Sequence, residues 1–266
     1  MLTDPGPGWL FCPADRPERF EKAAAADVVI LDLEDGVAAK DREAARTALI
    51  DTPLDPARTV VRVNPATTAD HPLDLQALRR TEYTTVMLAK AETAEQVASL
   101  APLDVIVLVE TPLGALAVTD TARVDNAYAV MWGAEDLFAA TGGTANRWPD
   151  GSYRDVAKHV RSQSLLAAKA FGRLALDSVY LDIRNLDGLR AEADDAVAVG
   201  FDAKVAIHPT QVAAIRAAYA PTDEQVDWAR GVLDAARTER GVFQFAGQMV
   251  DMPVLRRAER IVALAP

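Results

Sequence analysis

Short runs of apolar residues recur along the chain, and a stretch with the periodicity of an amphipathic helix follows each of them. Eight runs predict strands: WLFCPA (9–14), DVVILDLED (27–35), TVVRVN (59–64), TVMLAK (85–90), DVIVLVET (104–111), YAVMWGAED (128–136), LALDSVYLDI (174–183) and DAKVAIHP (202–209). The intervening segments are rich in good helix formers. This order predicts an α/β fold, a closed (β/α)₈ TIM barrel over residues 1–220. A doubly wound open sheet could hold the same order, but eight parallel strands of this length favour closure.

Residues 221–266 exceed what such a barrel requires. TDEQVDWARGVLDAARTER (222–240) predicts an amphipathic helix with Thr222 as its N-cap, and VLRRAERIVALA (254–265) predicts a last helix. GVFQFAGQMVDMP (241–253) connects the two. We expect a C-terminal helical extension that packs on an end of the barrel or on a neighbouring subunit.

Composition and charge exclude several classes of protein. The net charge of −11 disfavours nucleic acid as a partner, because binding phosphate groups requires an excess of Lys and Arg. There is no apolar run of 18 residues, and MLTDPGPGW (1–9) lacks the features of a signal peptide, so we expect a cytoplasmic protein without a membrane partner. The single cysteine, Cys12, excludes a disulfide framework, and three histidines disfavour a histidine-rich metal site.

Ionisable residues stand at the ends of several predicted strands. In VVILDLED (28–35), Val29, Leu31 and Leu33 share one face, so Asp32 and Glu34 occupy the other. Catalytic groups of a TIM barrel gather at the carboxyl ends of its strands. A set of strands that end in charged residues therefore predicts an active site at that end of the barrel.

Carboxylates that converge in a crevice repel one another unless a cation neutralises them. Oxygen ligands without nearby histidine or cysteine suit a hard ion such as Mg²⁺ or Mn²⁺. Glu110 and Asp136, which follow consecutive strands, form the best-spaced pair of metal ligands. Arg62 is predicted to face the barrel interior, where its planar guanidinium would bind a substrate carboxylate.

Several motifs together resemble a known family. They are WLFCPADRPERFEKA, VVILDLEDGVA, VVRVN, VMLAKAET, LVETPLGAL, MWGAEDL, AIHPTQV and GQMVDMPVLRRAE. In this order, over nearly the whole chain, they resemble the citrate lyase β-subunit-like proteins of the HpcH/HpaI aldolase superfamily. The resemblance implies a TIM-barrel lyase that uses Mg²⁺ to cleave or form the C–C bond of 3-hydroxyacyl-CoA thioesters. It also implies a homo-oligomer, which we expect to be a trimer.

The resemblance assigns roles to residues of this chain. It implies metal ligation by Glu110 and Asp136, and substrate binding by Arg62, Glu110 and the backbone at Gly133 and Ala134. Coenzyme A is expected to contact Arg16, Arg19, Lys22, Ile207 and His208, although Glu18 stands where some relatives carry lysine. The expected catalytic residues are Arg62, Glu34 and Asp251. Glu34 would act through Arg62 or the waters of the metal, and Asp251 would act in the site of a neighbouring subunit.

The expected substrate is a malyl-, citramalyl- or citryl-CoA type of thioester, cleaved to acetyl-CoA and an oxo acid. A CoA-independent oxo-acid aldolase, an acyl-CoA thioesterase or malate-synthase-like enzyme, and a citrate lyase subunit that requires a carrier protein remain as alternatives. Two residues also have simpler interpretations. Asp251 fits an ordinary N-cap of the last helix, and Cys12 fits a packing residue better than a nucleophile paired with His208.

Overall fold

The computed structural model of the protein describes residues 2–3, 5–239 and 241–265. These residues form two compact units, the first ending at Ile215 and the second beginning at Arg216. The division falls within a helix, and a domain boundary between residues 220 and 221 stays a prediction.

Eight parallel strands form the barrel of the first unit. They are β1 (Gly8–Pro13), β2 (Val28–Asp32), β3 (Thr59–Val63), β4 (Thr85–Leu88), β5 (Asp104–Val109), β6 (Ala127–Trp132), β7 (Leu174–Asp177) and β8 (Ala203–Ala206). The helices are α1 (Phe20–Ala23), α2 (Arg42–Asp51), α3 (Asp70–Leu78), α4 (Ala94–Ala98), α5 (Pro112–Arg123), α6 (Ala134–Thr141), α7 (Asp155–Ala170), α8 (Leu186–Val199) and α9 (Pro209–Tyr219). Because β1 pairs with both β2 and β8, the sheet is closed. The predicted (β/α)₈ barrel is confirmed, and the open sheet is excluded.

One apolar cluster fills the barrel and receives side chains from every strand. It includes Trp9, Ile30, Val60, Met87, Ile106, Leu108, Met131, Leu176 and Val205. Along β2 and β3, Val28, Ile30 and Val60 belong to this cluster. Because side chains alternate along a strand, Asp32 and Arg62 also face the interior, one step nearer the carboxyl end of the barrel.

All eight barrel strands end earlier than predicted. At β2 the Asp32 carboxylate accepts hydrogen bonds from the backbone N–H groups of Glu34 and Gly36, each at 2.9 Å, and so turns the chain. A Cβ atom at Gly36 would lie 2.3 Å from Asp32 Oδ2, so this turn requires glycine. The same early ending places Glu110 just after β5 and Asp136 in the first turn of α6. The predicted bounds were too long because polar residues that belong to turns extended the apolar runs.

A network of buried charged side chains lies between the barrel and its helices. Lys204 of β8 is fully buried, and its Nζ donates to Asp177 Oδ2 at 2.9 Å and to Glu192 Oε1 at 2.8 Å. Asp177 also accepts from Arg161 of α7 and from the indole of Trp132. Burial raises the pKa of Asp177, but Lys204 and Arg161 outweigh burial and hold the pKa below its ordinary value. Asp177 therefore stays ionised inside the protein.

The second unit contains α10 (Asp223–Ala235), β9 (Phe243–Phe245), β10 (Gln248–Val250) and α11 (Met252–Leu264). Thr222 caps α10, as predicted, and forms a capping box with Gln225. The antiparallel β9–β10 hairpin was not predicted. Ala229, Val232, Val250 and Ala258 form the buried core of this unit. No helix among the described residues is long and apolar enough to span a bilayer.

We expect Lys204→Met to lower the free energy of unfolding by about 3–5 kcal/mol, because it leaves the buried Asp177 short of a counter-charge. Urea denaturation followed by tryptophan fluorescence measures this loss. Lys169→Met is the matched control, since Lys169 is 42% exposed and pairs with Asp202 at the surface. It should cost at most about 1 kcal/mol. Equal effects of the two substitutions would contradict the structural role of Lys204.

Candidate active site

The buried Asp32–Arg62 ion pair forms the base of the candidate site. Arg62 Nε donates to Asp32 Oδ1 at 2.7 Å, and Nη2 donates to Asp32 Oδ2 at 2.5 Å. The guanidinium also lies over the ring of Phe11, 4.7 Å from its centre. Burial lowers the pKa of Arg62, but Asp32 and then Glu34 raise it above the ordinary value, so the side chain stays charged. Arg62 is held rigidly at the carboxyl end of the barrel.

Asp32 accepts hydrogen bonds from only some of the N–H donors of Arg62. Three of the five N–H groups of the guanidinium remain on Nη1 and Nη2, and Nη1 lies 3.2 Å from Glu34 Oε2. Of the predicted catalytic residues, Arg62 and Glu34 are therefore in contact. The remaining donors are those that could meet a carboxylate of a bound molecule.

Four carboxylates surround the ammonium group of Lys90. Its Nζ lies 2.5 Å from Glu34, 3.1 Å from Asp35, 3.5 Å from Asp136 and 3.8 Å from Glu110. These acids come from the loops after β2 and β5 and from the first turn of α6. The structure thus brings the two predicted metal ligands, Glu110 and Asp136, around one cationic group.

Among the acids of this cluster, Glu110 has the most strongly shifted pKa. Only 3% of the residue is exposed, and one carboxylate oxygen accepts the backbone N–H of Lys90 at 3.0 Å. Burial raises the pKa of Glu110 to about 8, against the opposing effects of Arg62 and Lys90 and with a further rise from Asp136. Without a stronger cation nearby, Glu110 therefore holds a proton at neutral pH.

Gly133 and Ala134 lie beside Glu110, but their backbone N–H groups have different hydrogen-bond partners. The N–H of Gly133 donates to Val109 O at 2.9 Å, and a substrate contact from the backbone of Gly133 stays a prediction. A Cβ at Gly133 would lie 2.9 Å from Cβ of Glu110 and 3.0 Å from its Oε2, so glycine makes room for this acid. The N–H of Ala134 has only a long bond, 3.4 Å to Ser178 Oγ, and starts α6.

The donor set fits a small hard cation. Glu110 and Asp136 supply only oxygen ligands, and one or two carboxylates completed by water and substrate suffice for Mg²⁺. The Lys90 ammonium, which contacts both, shows that a positive charge can lie between them. Among the described residues, no three His, Cys, Asp or Glu side chains are arranged to hold a metal by themselves. Water or a bound molecule would complete such a site.

The residues predicted to contact coenzyme A lie on neighbouring loops, because β1 pairs with β8. Arg16, Arg19 and Lys22, which follow β1, are all exposed. Ile207 and His208 follow β8, where their N–H groups donate to Gln211 Oε1 at 2.9 and 3.3 Å. The basic side chains are partly neutralised, since Arg19 lies 3.9 Å from Glu18. These positions form one edge at the carboxyl end of the barrel, where the three basic side chains are exposed and Ile207 and His208 are partly buried.

Two other residues considered from the sequence have clear surroundings. Burial raises the pKa of Cys12 to about 11, so it stays a thiol at neutral pH, and a nucleophilic role is disfavoured. Asp251 belongs to the second unit, where its carboxylate caps α11 by accepting the N–H of Val254 at 3.3 Å. The N-cap interpretation of Asp251 is thus confirmed, and its catalytic role stays a prediction.

Sequence reasoning assigned no role to Lys90 or to Asp74. Asp74 of α3 is fully buried and accepts from the backbone N–H and the side-chain amide of Asn64. The same amide donates to Leu33 O at 2.9 Å, which fixes the loop that carries Glu34. A signal for Lys90 was present, because a lysine that ends a strand beside several acid-ending strands is expected to pair with them.

Comparisons with known proteins identify the family of this chain. Residues 8–209 match the family HpcH/HpaI aldolase/citrate lyase, and residues 153–266 match the C-C_Bond_Lyase family of the TIM-Barrel fold. The chain is 63% identical over 265 residues to the citrate lyase subunit beta-like protein of Mycobacterium tuberculosis, with 99% of this chain and 97% of that protein covered. It is 31% identical over 291 residues to the mitochondrial citramalyl-CoA lyase of Homo sapiens, with 96% and 84% covered.

The structural match is equally extensive. The crystal structure of the protein CitE from Mycobacterium tuberculosis, in complex with magnesium, acetoacetate and coenzyme A, superposes on this chain with a TM-score of 0.96. The match covers 98% of each chain at 63% sequence identity. The similarity therefore includes the tail as well as the barrel.

The raised pKa of Glu110 predicts a pH dependence of stability. Because the folded state keeps a proton that the unfolded state loses, the free energy of unfolding should fall as pH rises from about 4.5 to about 8. Glu110→Gln should remove this contribution. In EDTA, urea denaturation should therefore show a steeper fall for the parent than for the variant, by up to about 1.4 kcal/mol per pH unit. Identical pH profiles would show that Glu110 ionises normally.

Proposed function

Because this chain belongs to the HpcH/HpaI aldolase/citrate lyase family, we propose that it cleaves a short 3-hydroxyacyl-CoA thioester with the help of Mg²⁺. The products would be acetyl-CoA and an oxo acid, from a substrate of the malyl-, citramalyl- or citryl-CoA type. The observation that carries the proposal is the meeting of Glu110 and Asp136 beside the rigid guanidinium of Arg62. Oxygen ligands for a hard cation thus lie beside donors for a substrate carboxylate.

Each residue of the site would have a separate role in the reaction. Mg²⁺ held by Glu110 and Asp136 would supply the Lewis acidity that favours transfer of the substrate hydroxyl proton to solvent water. The C–C bond would then break, with its electron pair passing to the acetyl-CoA enolate. The Arg62 donors not bonded to Asp32 would bind and orient the oxo-acid carboxylate. The N–H of Ala134, at the start of α6, would stabilise negative charge that develops on the substrate. Asp32 and Glu34 hold Arg62 in place for this task.

Coenzyme A would bind along the edge formed after β1 and β8, through Arg16, Arg19, Lys22, Ile207 and His208. Exposed basic side chains there suit the phosphate groups of coenzyme A. The M. tuberculosis protein, which was crystallised in complex with magnesium, acetoacetate and coenzyme A, supports binding of these three chemical classes by one protein. The relationship to citramalyl-CoA lyase supports cleavage of a C–C bond in an acyl-CoA thioester as the reaction.

Asp251 would protonate the acetyl-CoA enolate in the site of a neighbouring subunit. Its carboxylate caps α11 through one oxygen, which leaves the second oxygen for a proton. A residue supplied in this way makes the active protein a homo-oligomer, which we propose to be a trimer, and makes residues 221–266 a domain that packs on a neighbour.

A panel of malyl-, citramalyl- and citryl-CoA with Mg²⁺, read by acetyl-CoA and oxo-acid release from the purified single chain, tests the proposal. Glu110→Gln and Asp136→Asn should each lower kcat/KM by at least about 100-fold, because each removes a charged ligand. Glu135→Gln is the matched control, since Glu135 precedes Asp136 in α6 but bonds Asn146 rather than Lys90. Full activity in excess EDTA, or activity that requires a carrier protein, would contradict the proposal.

The role of Asp251 is tested by complementation. Asp251→Asn and Glu110→Gln chains should each be inactive, and subunit exchange between them should restore activity, because some sites then combine an intact Glu110 with an intact Asp251. The control mixture replaces one partner with a chain that carries both substitutions, and it should stay inactive. If mixed oligomers verified by mass spectrometry recover nothing, Asp251 does not act on a neighbour. A fully active Asp251→Asn chain would remove it from the mechanism.

A further inference from the structure

Lys90 has an unusual backbone conformation and an unusual set of contacts. Its φ of 49° lies in the left-handed region, which a non-glycine side chain rarely adopts. Its backbone N–H donates to Glu110, while its side chain reaches back across the site to Glu34. One residue thus contacts the same acid cluster through its backbone and through its side chain.

The charges around Lys90 are unbalanced. Glu34, Asp35, Glu110 and Asp136 lie within 4 Å of its Nζ, and Arg62 gives its two shortest ion-pair contacts to Asp32 instead. Even with Glu110 protonated, one ammonium group lies among the three carboxylates of Glu34, Asp35 and Asp136, which leaves excess negative charge in a partly buried site. Such a cluster is stabilised by added positive charge.

The Lys90 ammonium also lies closer to some of these acids than to others. Nζ is 2.5 Å from Glu34 but 3.5 Å from Asp136 and 3.8 Å from Glu110. The side chain is 28% exposed, so its end can move. It can therefore leave Glu110 and Asp136 while it keeps Glu34, whose carboxylate is only 3% exposed.

We propose that the Lys90 ammonium is an internal counter-ion that occupies the acid cluster in competition with a divalent cation. Lys90 holds Glu110 and Asp136 together in the absence of that cation and withdraws toward Glu34 and Asp35 when it binds. Lys90 is thus a positioning residue that weakens cation binding and preserves the site between binding events. This inference rests on the proposed Mg²⁺ site at Glu110 and Asp136.

Calorimetric titration of the full chain with Mg²⁺ tests the competition directly. Lys90→Met removes the charge and retains an unbranched side chain at the strained backbone position, so the Kd for Mg²⁺ should fall about tenfold. Lys90→Arg retains the charge and should stay within about threefold of the parent. Lys158→Met, which removes an exposed lysine of α7, controls for the change in net charge and should match the parent.

A second readout is thermal stability. In EDTA, Lys90→Met should melt at a lower temperature than the parent, because the ionised acids of the cluster lose their shared counter-charge. Mg²⁺ should then raise the melting temperature of the variant more than that of the parent. If Lys90→Met does not fold, Lys90→Gln, which keeps a hydrogen-bond donor, replaces it in both measurements.

The outcomes separate this inference from the proposed function. If the parent binds Mg²⁺ and the Kd is unchanged or higher in Lys90→Met or Lys90→Gln, the competition is overturned. The proposed function then remains intact. Equal tightening by Lys90→Arg also overturns it, because the effect would then be steric. Absence of Mg²⁺ binding by every variant overturns both. If Mg²⁺ binds to Lys90→Met and not to the parent, the ammonium group excludes the ion completely, and the competition is supported.

Discussion

Mutual repulsion among carboxylates is the constraint on which the site depends. Asp32, Glu34, Glu110 and Asp136 approach one another at the carboxyl end of the barrel, and such an arrangement is stable only if cations lie between them or an acid keeps its proton, as Glu110 does. Arg62 and Lys90 meet this need in different ways. Arg62 is locked by two hydrogen bonds to Asp32, whereas Lys90 is shared among four acids. The rigid cation suits recognition of a substrate, and the shared cation suits exchange with a metal ion.

The Lys204 group shows the contrasting case of a buried ion network that is saturated. Lys204 has three hydrogen-bond acceptors, Asp177, Glu192 and the backbone carbonyl of Ser178, and no part of its side chain is exposed. Such a network leaves no position for a ligand and connects the barrel to α7 and α8. Burial and charge alone therefore do not identify an active site in this protein. What distinguishes the Lys90 cluster is excess charge, partial exposure and donors not yet used.

Much of this arrangement was predictable from the alternation of residues along strands. The apolar runs and their number predicted the barrel, and the position of Arg62 between Val61 and Val63 predicted that it faces the interior. Strand ends were less predictable, because Asp32 turns the chain through hydrogen bonds that no periodicity encodes. The pairing of Arg62 with Asp32 and the central position of Lys90 depend on distances across neighbouring strands. Likewise, the strands of the β9–β10 hairpin have only three residues each, which is too few for an alternating pattern to be recognised.

Closure of the barrel by β1 and β8 has a consequence for synthesis of the protein on the ribosome. The Asp32–Arg62 pair lies on adjacent strands near the start of the chain and can form once the first three strands have emerged. The edge that joins the loops after β1 and β8 cannot exist until about residue 208 has been translated. Until then β1 has an unpaired edge, which is a surface for misassociation. A nascent chain stalled before β8 would therefore hold an assembled ion pair and an exposed strand at the same time.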